Sequence, residues 1–272
     1  MLNRIFGYLK LMRIGNCLIA FFSILVTSFF VSQSLVFRIP VFLGAMAALF
    51  IMGGGNSLND YFDYKIDKLN KPNRPIPSGL ISRRSALGFS IYLFFVGVSL
   101  GLFLNIFALS IVFINTCLLI FYARYSKTMS FAANVLIALM TSSVFIYSAA
   151  ILNTLNTNII VLASSAFFVM TAREILKDIE DIDGDTQSGA ATLPVKLGIR
   201  RARTISSLFI LPSVFLIFVP QMLGTMTGPY LSLISCAAAA LMVSFFLQAN
   251  QSQKIIKVAA IIVLAAFFLG SI

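Results

Sequence analysis

Residues 39–67 read IPVFLGAMAALFIMGGGNSLNDYFDYKID. No charge interrupts the stretch before Asp60, and a helix needs about 20 mostly apolar residues to cross a bilayer. The run therefore predicts a membrane-spanning helix over 40–61, ending in a row of carboxylates. At roughly 100° per residue, Asn56, Asn59, Asp60, Asp63 and Asp67 fall on one face about 100° wide. The register returns later in the chain. Glu174, Asp178, Asp181 and Asp185 each lie 118 residues after Asn56, Asp60, Asp63 and Asp67. One face repeated at a fixed offset predicts an internal repeat within a single domain covering 1–272.

The rest of the chain extends this reading. Apolar residues make up 59% of the 272 and charged residues only 11%, against about 25% charged in soluble domains. Such a chain cannot cover a water-exposed surface, which excludes a soluble enzyme, a disulfide scaffold and a disordered tail. The same ruler gives nine candidate spans: 15–33, 40–61, 85–104, 106–122, 131–151, 158–176, 204–221, 229–248 and 255–272. The expected fold is all-α, a polytopic bundle of nine transmembrane helices around a central cavity. No small-residue cleavage site follows the first apolar run, so a retained anchor is expected there.

Charge placement orients the bundle. Of the 20 basic residues, all except Arg38 fall at the N-terminus or in alternate connections, which places that face and the N-terminus in the cytoplasm. On a membrane protein a net charge of +11 reads as topology, and no nucleic-acid partner is expected. The chain has no His, which removes histidine acid–base catalysis and the Ser-His-Asp triad. Cys17, Cys117 and Cys236 are isolated in apolar stretches and read as small hydrophobes.

All nine acids sit in two clusters on the cytoplasmic side: Asp60, Asp63, Asp67, and Glu174, Asp178, Glu180, Asp181, Asp183, Asp185. Like charges at a membrane boundary repel and resist desolvation. Divalent cations between the two faces would relieve both, and an oxygen-only donor set favours a hard ion, Mg²⁺ first. Lys71 and Arg74 follow the first cluster in a Pro-rich loop expected to fold back over the site, and Lys177 lies inside the second. Carboxylates and cations at one mouth read as a metal-bridged diphosphate site. Arg13 and Asn16, opening the first span on the same face, are candidate substrate contacts. The glycines Gly53–Gly55 serve either close helix packing or a loosened site.

Asn59-Asp60-Tyr61-Phe62-Asp63-Tyr64-Lys65-Ile66-Asp67 resembles the NDxxDxxxD motif of the UbiA family of intramembrane prenyltransferases, and Asp178 to Asp185 is similar to its DxxDxxxD motif. The Lys71–Gly79 segment and the Tyr122–Lys127 loop followed by Asn134 extend the likeness over nearly the whole chain. The resemblance implies Mg²⁺-assisted transfer of a prenyl group from its diphosphate in a cavity open laterally to lipid. It implies that Asn59, Asp63, Asp67, Asp181 and Asp185 hold Mg²⁺ and diphosphate, supported by Asp60 and Asp178. Lys71, Arg74 and Lys127 would neutralise the leaving group, with Asn56, Tyr122, Lys177, Arg13 and Asn16 on the substrate side. The run from Arg173 through Asp178 to Gly198, with Asn16-Cys17 opening the first span, most resembles the branch that prenylates the free hydroxyl of geranylgeranylglyceryl phosphate, a lipid phosphate; Ile14 departs from the proline expected after Arg13. A quinone, chlorophyll or haem branch is the alternative within the family. A secondary transporter is the rival from another class, although acids gathered at one face fit it poorly.

Overall fold

The computed structural model describes residues 2–32, 38–187 and 189–271; the side chains of Leu2, Ser32, Leu69, Asn70 and Lys127 lie outside the described set. Among the described residues there is no strand. The helices are α1 (Leu2–Leu11), α2 (Ile14–Ser32), α3 (Ile39–Phe62), α4 (Tyr64–Asn70), α5 (Arg83–Gly101), α6 (Ile106–Tyr125) and α7 (Phe131–Leu152). They continue as α8 (Thr157–Glu180), α9 (Ile182–Gln187), α10 (Leu193–Leu197), α11 (Ile199–Met222), α12 (Tyr230–Val243) and α13 (Ala249–Gly270).

Eight of these, α2, α3, α5, α6, α7, α8, α11 and α13, are long and apolar enough to cross a membrane. The ninth expected span, 229–248, is realised only as the 14-residue α12. Its apolar run is longer than its helix because the chain turns at Ser244. The Ser252 hydroxyl donates to the carbonyls of Ser244 and Leu247, at 2.7 and 3.2 Å, and so stabilises a corner where the helix would have continued. Several helices also run beyond their apolar stretch into the charged boundary, so that Arg124, Arg173, Lys177 and Lys254 are helical rather than in loops.

Two helices form the spine. α3 and α8 each bury 61% of their spanning length, against 39% or less for the other six. α3 is enclosed by α2, α5 and α6, and α8 by α7, α11 and α13. The glycine triplet explains the tight fit around α3. A Cβ on Gly53 would come within 2.9 Å of Met12, and one on Gly54 within 2.9 Å of the Phe94 ring. Close packing, not a loosened helix, is therefore what these glycines provide. Large apolar side chains such as Phe95, Phe103 and Ile106 face outward at 66–74% exposure, as a lipid-facing surface requires.

The two spine helices break in the same way. α3 ends at Asp63 (ψ 1°) and α8 at Asp181 (ψ 8°); both are 24 residues long, and each is followed at once by a short helix, α4 or α9. The acidic faces expected on single straight helices are thus carried by a long helix plus a short one, hinged at the middle carboxylate.

Candidate active site

The first acidic face is drawn together by two arginines from elsewhere in the chain. The Arg13 Nη2 donates to Asp60 Oδ1 at 2.7 Å, across 47 residues of sequence. Arg74 Nη1 donates to the same oxygen at 3.1 Å and to Asp67 Oδ2 at 2.5 Å. The Pro-rich loop therefore brings Arg74 back onto the first acidic face, while Lys71, expected to fold back with it, is exposed. Burial alone would lower the Arg74 pKa, but Asp60 and Asp67 outweigh it and hold the guanidinium above its ordinary value. It stays charged.

Arg13 is aimed by its backbone. It forms the corner between α1 and α2 with φ 53°, a left-handed conformation that most side chains avoid. The Met12 carbonyl beside it accepts from Asn56 Nδ2 at 3.0 Å and from the buried Cys17 Sγ at 3.1 Å. Asn56, expected on the substrate side, uses its amide nitrogen to hold this corner. Asn16 is exposed in a surface groove of about 420 Å³ shared with Phe6, Lys10, Arg13 and Ile14. The Asn59 Nδ2 donates to Asp63 Oδ2 at 2.9 Å. Arg83 grips the aromatic residues of the same stretch, 4.6 Å from the Tyr61 ring and 5.3 Å from that of Tyr64.

The second face is built differently. Glu174 is buried and receives Arg173 Nη1 at 2.8 Å and Lys177 Nζ at 3.0 Å. One turn on, Asp178 Oδ2 accepts from Asn134 Nδ2 at 2.7 Å. Asp181 and Asp183 are exposed, while Asp185 is buried. Glu180 points away and binds Gln253 of α13 at 2.6 Å. Tyr122 is a half-buried residue near the C-terminal end of α6. The Lys127 side chain, a further expected contact, lies outside the described residues.

Among the described residues no three acidic side chains converge closely enough to hold a metal. The donors themselves, carboxylates and an amide carbonyl, fit a hard divalent cation. Sequence reasoning did not assign Arg173, Gln253 or the role of Asn134. None of these three partners stands at the helical spacing of three or four that announces a pair, as Glu174 and Lys177 do.

Among the described residues, an all-helical bundle with membrane-length helices carries two carboxylate–cation clusters, a chemistry that suits enzymes acting on diphosphate-bearing lipids. Residues 20–272 match the UbiA prenyltransferase family, and the chain belongs to that family. It is 36% identical to digeranylgeranylglyceryl phosphate synthase from Methanococcoides burtonii, over 97% of this chain and 99% of the relative. It superposes with a TM-score of 0.83 on a solved structure of digeranylgeranylglyceryl phosphate synthase, 31% identical over 98% of both chains. A UbiA homologue from Archaeoglobus fulgidus bound to DMAPP and Mg²⁺ shares the fold, with a TM-score of 0.75, 18% identity, and coverage of 96% of this chain and 98% of that one.

Proposed function

We propose that the chain transfers a geranylgeranyl group from its diphosphate to the free hydroxyl of geranylgeranylglyceryl phosphate. The observation that carries the reading is the pair of acidic faces, one on each spine helix, hinged at Asp63 and Asp181. The choice of acceptor rests on full-length likeness to relatives bearing the name of that activity. The equal lengths and matched hinges of α3 and α8 support a single domain with an internal repeat at an offset of 118 residues. α7 and α13 begin and end at the same offset.

Asn59, Asp63, Asp67, Asp181 and Asp185 are the residues that would hold Mg²⁺. When bound, the ion supplies charge stabilisation to the departing diphosphate. Arg74 is already charged and anchored at the first face, where, with Lys71, it neutralises the same leaving group. The allylic carbon–oxygen bond breaks with its electron pair leaving on diphosphate. The acceptor oxygen then bonds to the allylic carbon, and its proton passes to diphosphate or to an aspartate. Apolar helix walls keep water from the cation. The basic rim around these residues supports a site opening to the cytoplasm.

The test incubates purified protein and Mg²⁺ with geranylgeranyl diphosphate and a panel of acceptors: geranylgeranylglyceryl phosphate, 4-hydroxybenzoate and haem. The expected product is the doubly prenylated glyceryl phosphate, identified by mass, with release of diphosphate abolished by chelator. An aromatic or tetrapyrrole product would move the chain to another branch. Transport without chemistry would reject the reading.

A further inference from the structure

Asn134 sits in the first turns of α7 with 4% exposure. Its Nδ2 donates to Asp178 Oδ2 at 2.7 Å. An ionised carboxylate only accepts, so this bond fixes which way the amide faces. The opposite corner, Oδ1, is buried and has no hydrogen-bond partner. A buried amide carbonyl left unpaired is unusual and calls for an explanation. The backbone that launches α7 is also held in an uncommon conformation, with Ser130 at φ 51° and ψ −130°.

The substrates of the proposed reaction narrow the choice of partner. A prenyl chain carries no donor, and the oxygens of an ionised diphosphate accept. The acceptor lipid brings one alcohol hydroxyl, and that hydroxyl is the reacting group. We infer that Asn134 is an acceptor-binding residue, whose Oδ1 receives the hydrogen bond of the incoming alcohol while its Nδ2 stays on Asp178. This places the alcohol oxygen beside the second acidic face; once that oxygen bonds to the allylic carbon it is an oxonium, acidic enough to leave Oδ1 and give its proton to Asp178 or to diphosphate. The inference rests on the proposed function and adds no covalent step to it.

A lipid acceptor lacking the hydroxyl separates this role from a structural one. As competitive inhibitors, the deoxy lipid should bind wild-type protein about tenfold more weakly than the alcohol binds, the loss expected for one buried hydrogen bond. In Asn134→Ala the two lipids should bind within twofold of each other, and the KM for the alcohol should rise more than that for geranylgeranyl diphosphate. Asn134→Ser, which keeps a small polar group against Asp178, serves if the alanine variant does not fold. Equal discrimination by wild type and variant overturns the inference. So does a variant whose main defect is a raised Mg²⁺ requirement, which would make Oδ1 a metal ligand. Failure of wild-type protein to prenylate the alcohol sinks the proposed function, and this inference with it. Wild-type turnover with unaltered variant kinetics sinks the inference alone.

Discussion

Asn56 and Glu174 occupy the same register on the two spine helices yet meet opposite surroundings. Asn56 is neutral and ties down the corner from which Arg13 reaches Asp60. Glu174 is a buried carboxylate that collects Arg173 and Lys177 from its own helix. The first face thus imports its cations, Arg13 and Arg74, from the α1–α2 corner and the Pro-rich loop. The second carries its own, and leaves Asp178 to a neutral amide. Two helices of matching length and hinge thus carry different electrostatics: a face spanned by guanidinium groups, and a face where Asp181 stays exposed and one carboxylate, Glu174, is held by two cations of its own helix.

The most damaging way to break the comparison is to remove the hinge carboxylates. Asp63→Ala and Asp181→Ala should each lower turnover by at least about a thousandfold, since both faces are needed around one diphosphate. Product mass measures the loss, and unchanged helix content shows that the protein is intact; activity surviving in either variant means that the faces do not cooperate. A milder probe is Arg74→Lys. An ammonium keeps the charge but loses the planar fork, so kcat/KM for the prenyl diphosphate should fall about 10- to 100-fold; wild-type kinetics would reduce the Arg74 bridge to a structural contact.

The smallest effects contrast the two register-equivalent positions through thermal unfolding in detergent. Breaking a buried ion pair costs about 3–5 kcal/mol. Glu174→Gln should fall near or below the low end of that range, because Lys177 is 44% exposed and keeps some solvation. Asn56→Ala should cost about 1 kcal/mol, the worth of one hydrogen bond. A larger loss at 56 than at 174 would invert the account given of the two faces.

Most of the architecture was legible in the sequence because bilayer thickness imposes a fixed ruler on apolar runs. Eight spans lie within six residues of their expected ends, the largest shifts falling at the charged starts of α11 and α13. α12 escaped that ruler, since hydropathy registers apolar side chains and not the Ser252 hydroxyl that holds the turn at Ser244. α1 escaped as well, being too short to count as a span. The site was legible as a set of residue types in a register. Its wiring was not: nothing local to Arg13 says that its partner is Asp60, and nothing in Asn134 says that half of its amide would be left without a partner.

The corner at Arg13 has a practical consequence. Backbone geometry at φ 53° suits glycine better than any other residue, so a thermostability screen guided by backbone comfort would favour Arg13→Gly. That variant would gain ease in the chain and lose the arm that restrains Asp60. On the proposed function, position 13 is therefore a place where selection for ruggedness and selection for catalysis pull in opposite directions, and libraries built to harden the chain should leave it fixed.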